Sequence, residues 1–82
     1  MTRNEIRIAL IADITAVAPD LDPGAIRDSD RFQDDLGLDS MDFLNLVSAL
    51  HDRFGLPISE ADYPRLATFA MALDYLEAAL RA

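Results

Sequence analysis

Apolar residues return at helical spacing in three separate stretches, prolines and glycines interrupt the chain between them, and no stretch alternates as a strand would. Thr2-Arg3-Asn4-Glu5 has the form of a capping box, and Ile6, Leu10, Ile14 and Val17 follow it on one face, which predicts a first helix over about residues 3–17, ended by Pro19. A second pattern opens at Ser40, with Asp39 or Ser40 as its cap, and runs to Phe54. Gly55 and then Pro57 follow in the order expected of a helix C-terminus. Ser59-Glu60-Ala61-Asp62 offers another cap, but Pro64 arrives so soon that only one or two turns fit. Thr68 caps a last helix with Phe69, Leu73, Leu76 and Leu80 in one stripe. These pieces predict an all-α fold, a four-helix bundle of three longer helices and one short one. The connection from Ala18 to Asp39 is longer than compact domains usually tolerate without a function, and Leu21, Ile26, Phe32 and Leu36 are expected to pin it to the core.

Size and charge narrow what such a bundle can do. The 82 residues make one domain, spanning 1–82, which buries only about 60–65% of its unfolded surface and leaves little room for an enzyme's deep cleft. No apolar run approaches the roughly 18 residues of a membrane span, and no basic-then-apolar leader opens the chain. A cytoplasmic monomer without stable membrane insertion is expected. The absence of cysteine removes disulfides, thiolate catalysis and Cys-ligated zinc together. A net charge of -8, from 15 acids against 7 bases, repels nucleic acid and anionic lipid, so basic protein surfaces are the natural partners. The plain alternative is that the charge only keeps the chain soluble.

Three chemistries are open to the serine in "DLGLDSMDF", Ser40. A hydrolytic nucleophile needs a base within reach, and the sole histidine, His51, lies about 16 Å further along the same helix. A Ser-His pair is therefore excluded, and His51 reads as a surface residue. Metal binding is suggested by Asp28, Asp30, Asp34, Asp35, Asp39 and Asp42, with only Arg31 among them, yet an EF-hand loop from Asp28 would place Phe32 and Gln33 where an oxygen ligand and glycine belong. That leaves no formed metal site, only loose divalent binding that relieves repulsion. The third reading is positional: a serine in the first turn of a helix points its oxygen to solvent beside unpaired N–H groups, where an attached phosphate is stabilised. Against it stands the ordinary use of such a serine as a cap, worth about 0.5–2 kcal/mol.

Asp35-Leu36-Gly37-Leu38-Asp39-Ser40-Met41-Asp42, the apolar helix after it and Gly55-Leu56-Pro57-Ile58 resemble the signature of acyl carrier proteins. The likeness extends to Phe32 and to the stretch from Leu66 through Leu76. The resemblance implies a carrier rather than an enzyme. Ser40, preceded by Asp39, would receive 4'-phosphopantetheine from coenzyme A through a phosphopantetheinyl transferase, the holo-protein synthase. The terminal thiol, which the chain itself lacks, would hold an acyl group as a thioester for an acyl-protein ligase, an acyltransferase and other basic-surfaced enzymes of lipid, fatty acid, polyketide or other acyl metabolism. The competing function is an acidic helical docking or divalent-cation-binding module with no prosthetic group. Within the carrier class, an aminoacyl or D-alanyl carrier is the variant, since Met41 also follows the serine there, although glycine tends to come next where this chain has Asp42.

At about 100° per residue, Phe43, Leu46, Val47, Leu50 and Phe54 share one arc of the second helix, the core face, while Met41, Asn45, Ser48 and Asp52 lie opposite. The family resemblance makes Met41, Asp42, Asn45, Ser48 and Asp52 the expected partner contacts and Phe43, Leu46, Val47 and Leu50 the acyl-pocket residues. Asn45, His51 and Arg53 stand where carriers of fatty-acid synthesis commonly have glutamate, which weakens the negative field and suggests a specialised carrier. Phe43 fills volume near the pocket mouth, where related carriers often have a small residue. A long straight chain should be poorly sheltered, leaving a short cargo, or a bulky one held outside the bundle.

Overall fold

The computed structural model describes residues 1–81. Three α-helices, α1 (Arg3–Val17), α2 (Ser40–Phe54) and α3 (Phe69–Arg81), surround one core, and a 3-10 segment, Glu60–Leu66, supplies the short fourth helix of the bundle. A further 3-10 turn, Pro23–Ala25, lies in the first connection. No strand forms among the described residues; one isolated antiparallel bridge joins Arg31 to Thr68.

The caps form where their sequences place them. The Thr2 hydroxyl accepts from the Glu5 N–H and the Glu5 carboxylate accepts in return from the Thr2 N–H, closing the box at the start of α1. Gly55 ends α2 in the left-handed region, with φ 66°, where a Cβ would be disfavoured. At α3 the Thr68 hydroxyl accepts from the Met71 N–H at 3.1 Å. The fourth helix departs from expectation in two ways. Ser59 makes no side-chain cap, and the segment winds as a 3-10 helix, because Pro64 has no N–H to give to an i−4 carbonyl. Packing holds it instead: Tyr75 of α3 donates its hydroxyl to Asp62 at 2.9 Å, and the Arg65 guanidinium lies 4.9 Å from the Tyr75 ring centre.

Ile6, Leu10 and Ile14 of α1, Leu46 and Leu50 of α2, and Phe69, Leu73 and Leu76 of α3 are all buried in a single cluster. The first connection joins it through Phe32, as expected, and through Leu38, which the helical patterns did not single out; Leu21, Ile26 and Leu36 pack against it half-buried. Arg53, exposed but turned toward α1, makes two hydrogen bonds, both 2.9 Å, to the buried carboxylate of Asp13. Asp13 raises the Arg53 pKa above its ordinary value by hydrogen bonding and charge. On the helix wheel Arg53 sits only about 20° outside the core arc, so its direction was readable though its partner was not.

Candidate functional site

The segment before α2 is folded by its own hydrogen bonds. The carbonyl of Arg31 accepts from the N–H groups of Asp35 and Leu36, each at 3.0 Å, while the Asp35 carboxylate accepts from the Arg31 N–H at 2.7 Å. Leu38 then donates to the Phe32 carbonyl at 2.9 Å, and both side chains are buried. Returning the chain in this space requires the positive φ of Gly37, 73°, which a glycine adopts without penalty. The turn therefore delivers Asp39 and Ser40 to the surface at the first turn of α2.

Asp39, not Ser40, is the cap. Its carboxylate accepts from the Asp42 N–H at 2.8 Å and the Asp42 carboxylate accepts from the Asp39 N–H at 3.3 Å, a reciprocal box. The Ser40 hydroxyl is exposed and takes no part in the cap. The cost expected for a capping serine consequently does not apply to it. Its surroundings suit an attached group: an exposed hydroxyl needs no side chain displaced to become an ester. The sole histidine does not face it, since His51 is far along α2 and its Nδ1 lies 2.7 Å from the Leu56 carbonyl. A carbonyl only accepts, so that nitrogen carries the proton and the ring serves the C-terminal end of the helix.

Ser40 also lines a groove of about 480 Å³. One wall is the turn at Arg31, Phe32, Gln33 and Asp34, a second is Phe43 and Leu44 of α2, and the third is Tyr63, Pro64, Leu66 and Ala67. A second groove of about 440 Å³ runs along α2 on the other side of Leu44 and Tyr63, past Val47, Ser48, His51 and Ile58. The residues assigned to an acyl pocket are thus divided. Phe43 lines the first groove and Val47 the second, whereas Leu46 and Leu50, each 1% exposed, line neither and belong to the closed core. Of the residues assigned to partner contact, Met41, Asn45, Ser48 and Asp52 are exposed, and Asp42 is half-buried in its box. Sequence patterning missed Leu44, 47% exposed and shared by both grooves. The available signal was its place about 60° outside the core arc, beside an apolar residue already assigned inward.

The acidic segment forms no cation cage. Asp28 pairs with Arg7 at 2.6 Å, and that hydrogen bond to Arg7 holds its carboxyl below the usual range. Asp30 accepts from the Arg27 N–H and Asp34 lies 3.6 Å from Arg31. Among the described residues no three metal-ligating side chains converge. Each of these carboxylates has an N–H or guanidinium partner, so none is held in a formed cation site.

Compared with known proteins, the chain matches a family model described as the phosphopantetheine attachment site over residues 8–76, which takes in all of α2 and the whole grooved surface.

Proposed function

Because the chain belongs to the phosphopantetheine-attachment family, we propose that it is an acyl carrier protein in which Ser40 bears the 4'-phosphopantetheine arm and partner enzymes of lipid, polyketide or other acyl metabolism load and unload an acyl group. The observation that carries this is the division of labour in the first turn of α2: Asp39 supplies the cap, so Ser40 is exposed without a structural duty. The arm, when bound, supplies the thiol for a thioester that a chain without cysteine cannot form.

The chain's own residues present and expose. Gly37 and the buried Phe32 and Leu38 fix the turn from which Ser40 projects. Asp39 and Asp42 flank the hydroxyl with carboxylates, a local charge suited to a basic transferase. Met41, 65% exposed, with Asn45, Ser48 and Asp52, forms the face offered to partners. With few carboxylates along it, this face relies less on charge than on apolar contact at Met41 and Leu44. The protein acts as a carrier, not a catalyst, and we place it in the cytoplasm as a monomer.

The test is mass spectrometry after incubation with coenzyme A and a broad-range phosphopantetheinyl transferase. One arm should be added, at Ser40 and not at Ser29, Ser48 or Ser59, and Ser40→Ala should add none. An unmodified wild-type chain would leave a docking module as the better reading.

A further inference from the structure

Before it turns toward Ser40, the first connection is fastened to the start of α3. The Ala70 and Phe69 N–H groups donate to the Asp28 and Asp30 carbonyls, both at 2.9 Å, and the Phe32 N–H donates to the Ala67 carbonyl at 3.2 Å. The first N–H groups of a helix have no partner inside it, so α3 turns two of them on the connection. Arg7 of α1 grips the same junction from the other side. Its Nη1 and Nη2 lie 2.6 and 3.4 Å from the two carboxylate oxygens of Asp28, and its guanidinium carbon lies 5.4 Å from the centre of the buried Phe69 ring. Among the ion pairs of the described residues, this one alone joins a helix to the first connection. Arg3 bridges α1 to Asp74 and Glu77 of α3, and Arg31 pairs with Asp34 inside the connection.

The hold reaches the serine in two steps. Phe32, four residues after Asp28, is buried and bound to Ala67; its carbonyl accepts from the Leu38 N–H, two residues before Ser40. A transferase must take Ser40 in one conformation of this turn. Its apparent affinity falls in proportion as that conformation is less populated, while the chemistry of the bound complex is unchanged. Resting on the attachment at Ser40, we infer that Arg7, which lies outside the groove that Ser40 lines, is a positioning residue for arm transfer: by gripping Asp28 and the Phe69 ring it keeps the connection, and with it the Ser40 turn, in the conformation the transferase binds.

The test is steady-state transfer of the arm from coenzyme A to the full-length protein by a phosphopantetheinyl transferase, with the carrier as the varied substrate. Arg7→Ala should raise KM for the carrier about 2–5-fold with kcat unchanged, the size of effect expected from a partly exposed ion pair with a cation–π contact. Arg53→Ala, which removes an ion pair between α1 and α2, should leave KM at the unmutated value. Arg7→Lys keeps the charge but not the fork or the flat stacking face, and should recover part of the affinity. Asp28→Asn should raise KM too, and adding it to Arg7→Ala should raise it no further; should Arg7→Ala not fold, Asp28→Asn carries the same measurement. In hydrogen exchange the amides of Phe32, Leu36 and Leu38 should lose more protection in Arg7→Ala than those of Leu10 and Leu46. An unchanged KM, a KM rise matched by Arg53→Ala, or a fall confined to kcat would overturn the positioning role and leave the attachment at Ser40 intact. No transfer to the unmutated protein would overturn both.

Discussion

At its N-terminal end α2 satisfies its own first turn, through Asp39 and Asp42, whereas at its C-terminal end it reaches across to α1, through Arg53 and Asp13. The first arrangement is local and asks nothing of the rest of the molecule, so the surface around Ser40 is left open, grooved and available. The second ties two helices together through a carboxylate on a side chain only 10% exposed, which so depends on its partner. One helix thus separates exposure from anchoring: the end that bears Ser40 carries no inter-helix ion pair, and the opposite end carries the clamp.

Breaking the clamp should have the largest effect on stability. Arg53→Ala leaves the Asp13 carboxylate buried and unpaired, and should cost about 1–3 kcal/mol in urea unfolding, less than a wholly buried pair loses because water reaches Arg53. Modification at Ser40 should proceed at the unmutated rate; a clear fall would mean that the two ends are coupled. Asp39→Ala attacks the other end and should cost about 1 kcal/mol, the usual loss at an N-cap, and it should also slow arm transfer by removing a carboxylate beside the hydroxyl. Since the two sites lie about 20 Å apart along α2, the double variant should lose the sum within about 0.5 kcal/mol. Ser40→Ala should change stability by less than about 0.5 kcal/mol while abolishing modification, because Asp39 keeps the cap. A loss as large as that of Asp39→Ala would return the capping role to the serine.

The smallest effect is acid sensitivity, and it belongs to neither end of α2. Asp28 beside Arg7, and Glu5 in the Thr2 box, both have folded pKa values lowered from 3.8 and 4.5, chiefly by hydrogen bonds from Arg7 and from the Thr2 N–H. Their contribution is complete above those unfolded values and is lost as pH falls below them. Melting temperature followed downward from pH 5 should decline, and Asp28→Asn should flatten the decline. At the alkaline side Tyr75, raised above 10.0 by burial and by its bond to Asp62, works the other way: its share is complete below pH 10 and lost above it.

Several features that depend on neighbours three or four residues apart were legible in the chain. The bounds of α1 and α2, the caps at Thr2 and Thr68, a cap at either Asp39 or Ser40, the helix stop at Gly55 and the exposed Ser40 follow from periodicity, capping chemistry and punctuation, because the hydrogen bonds that enforce them close within one turn. Features made by residues distant in sequence were not. Nothing local to Arg53 names Asp13 as its partner, nothing local to Leu44 tells that it parts two grooves, and Ser59 carries a cap signature that the 3-10 winding around Pro64 leaves unused. The groove at Ser40 is the clearest case. Its walls come from the turn at 31–34, the start of α2 and the segment 63–67, and they meet only because packing of the core and the backbone bonds between Phe32 and Ala67 bring them together. The sequence by itself determined where a group could be attached. The groove that Ser40 lines was decided by tertiary structure, since a concave surface belongs to no single element and exists only once several have packed.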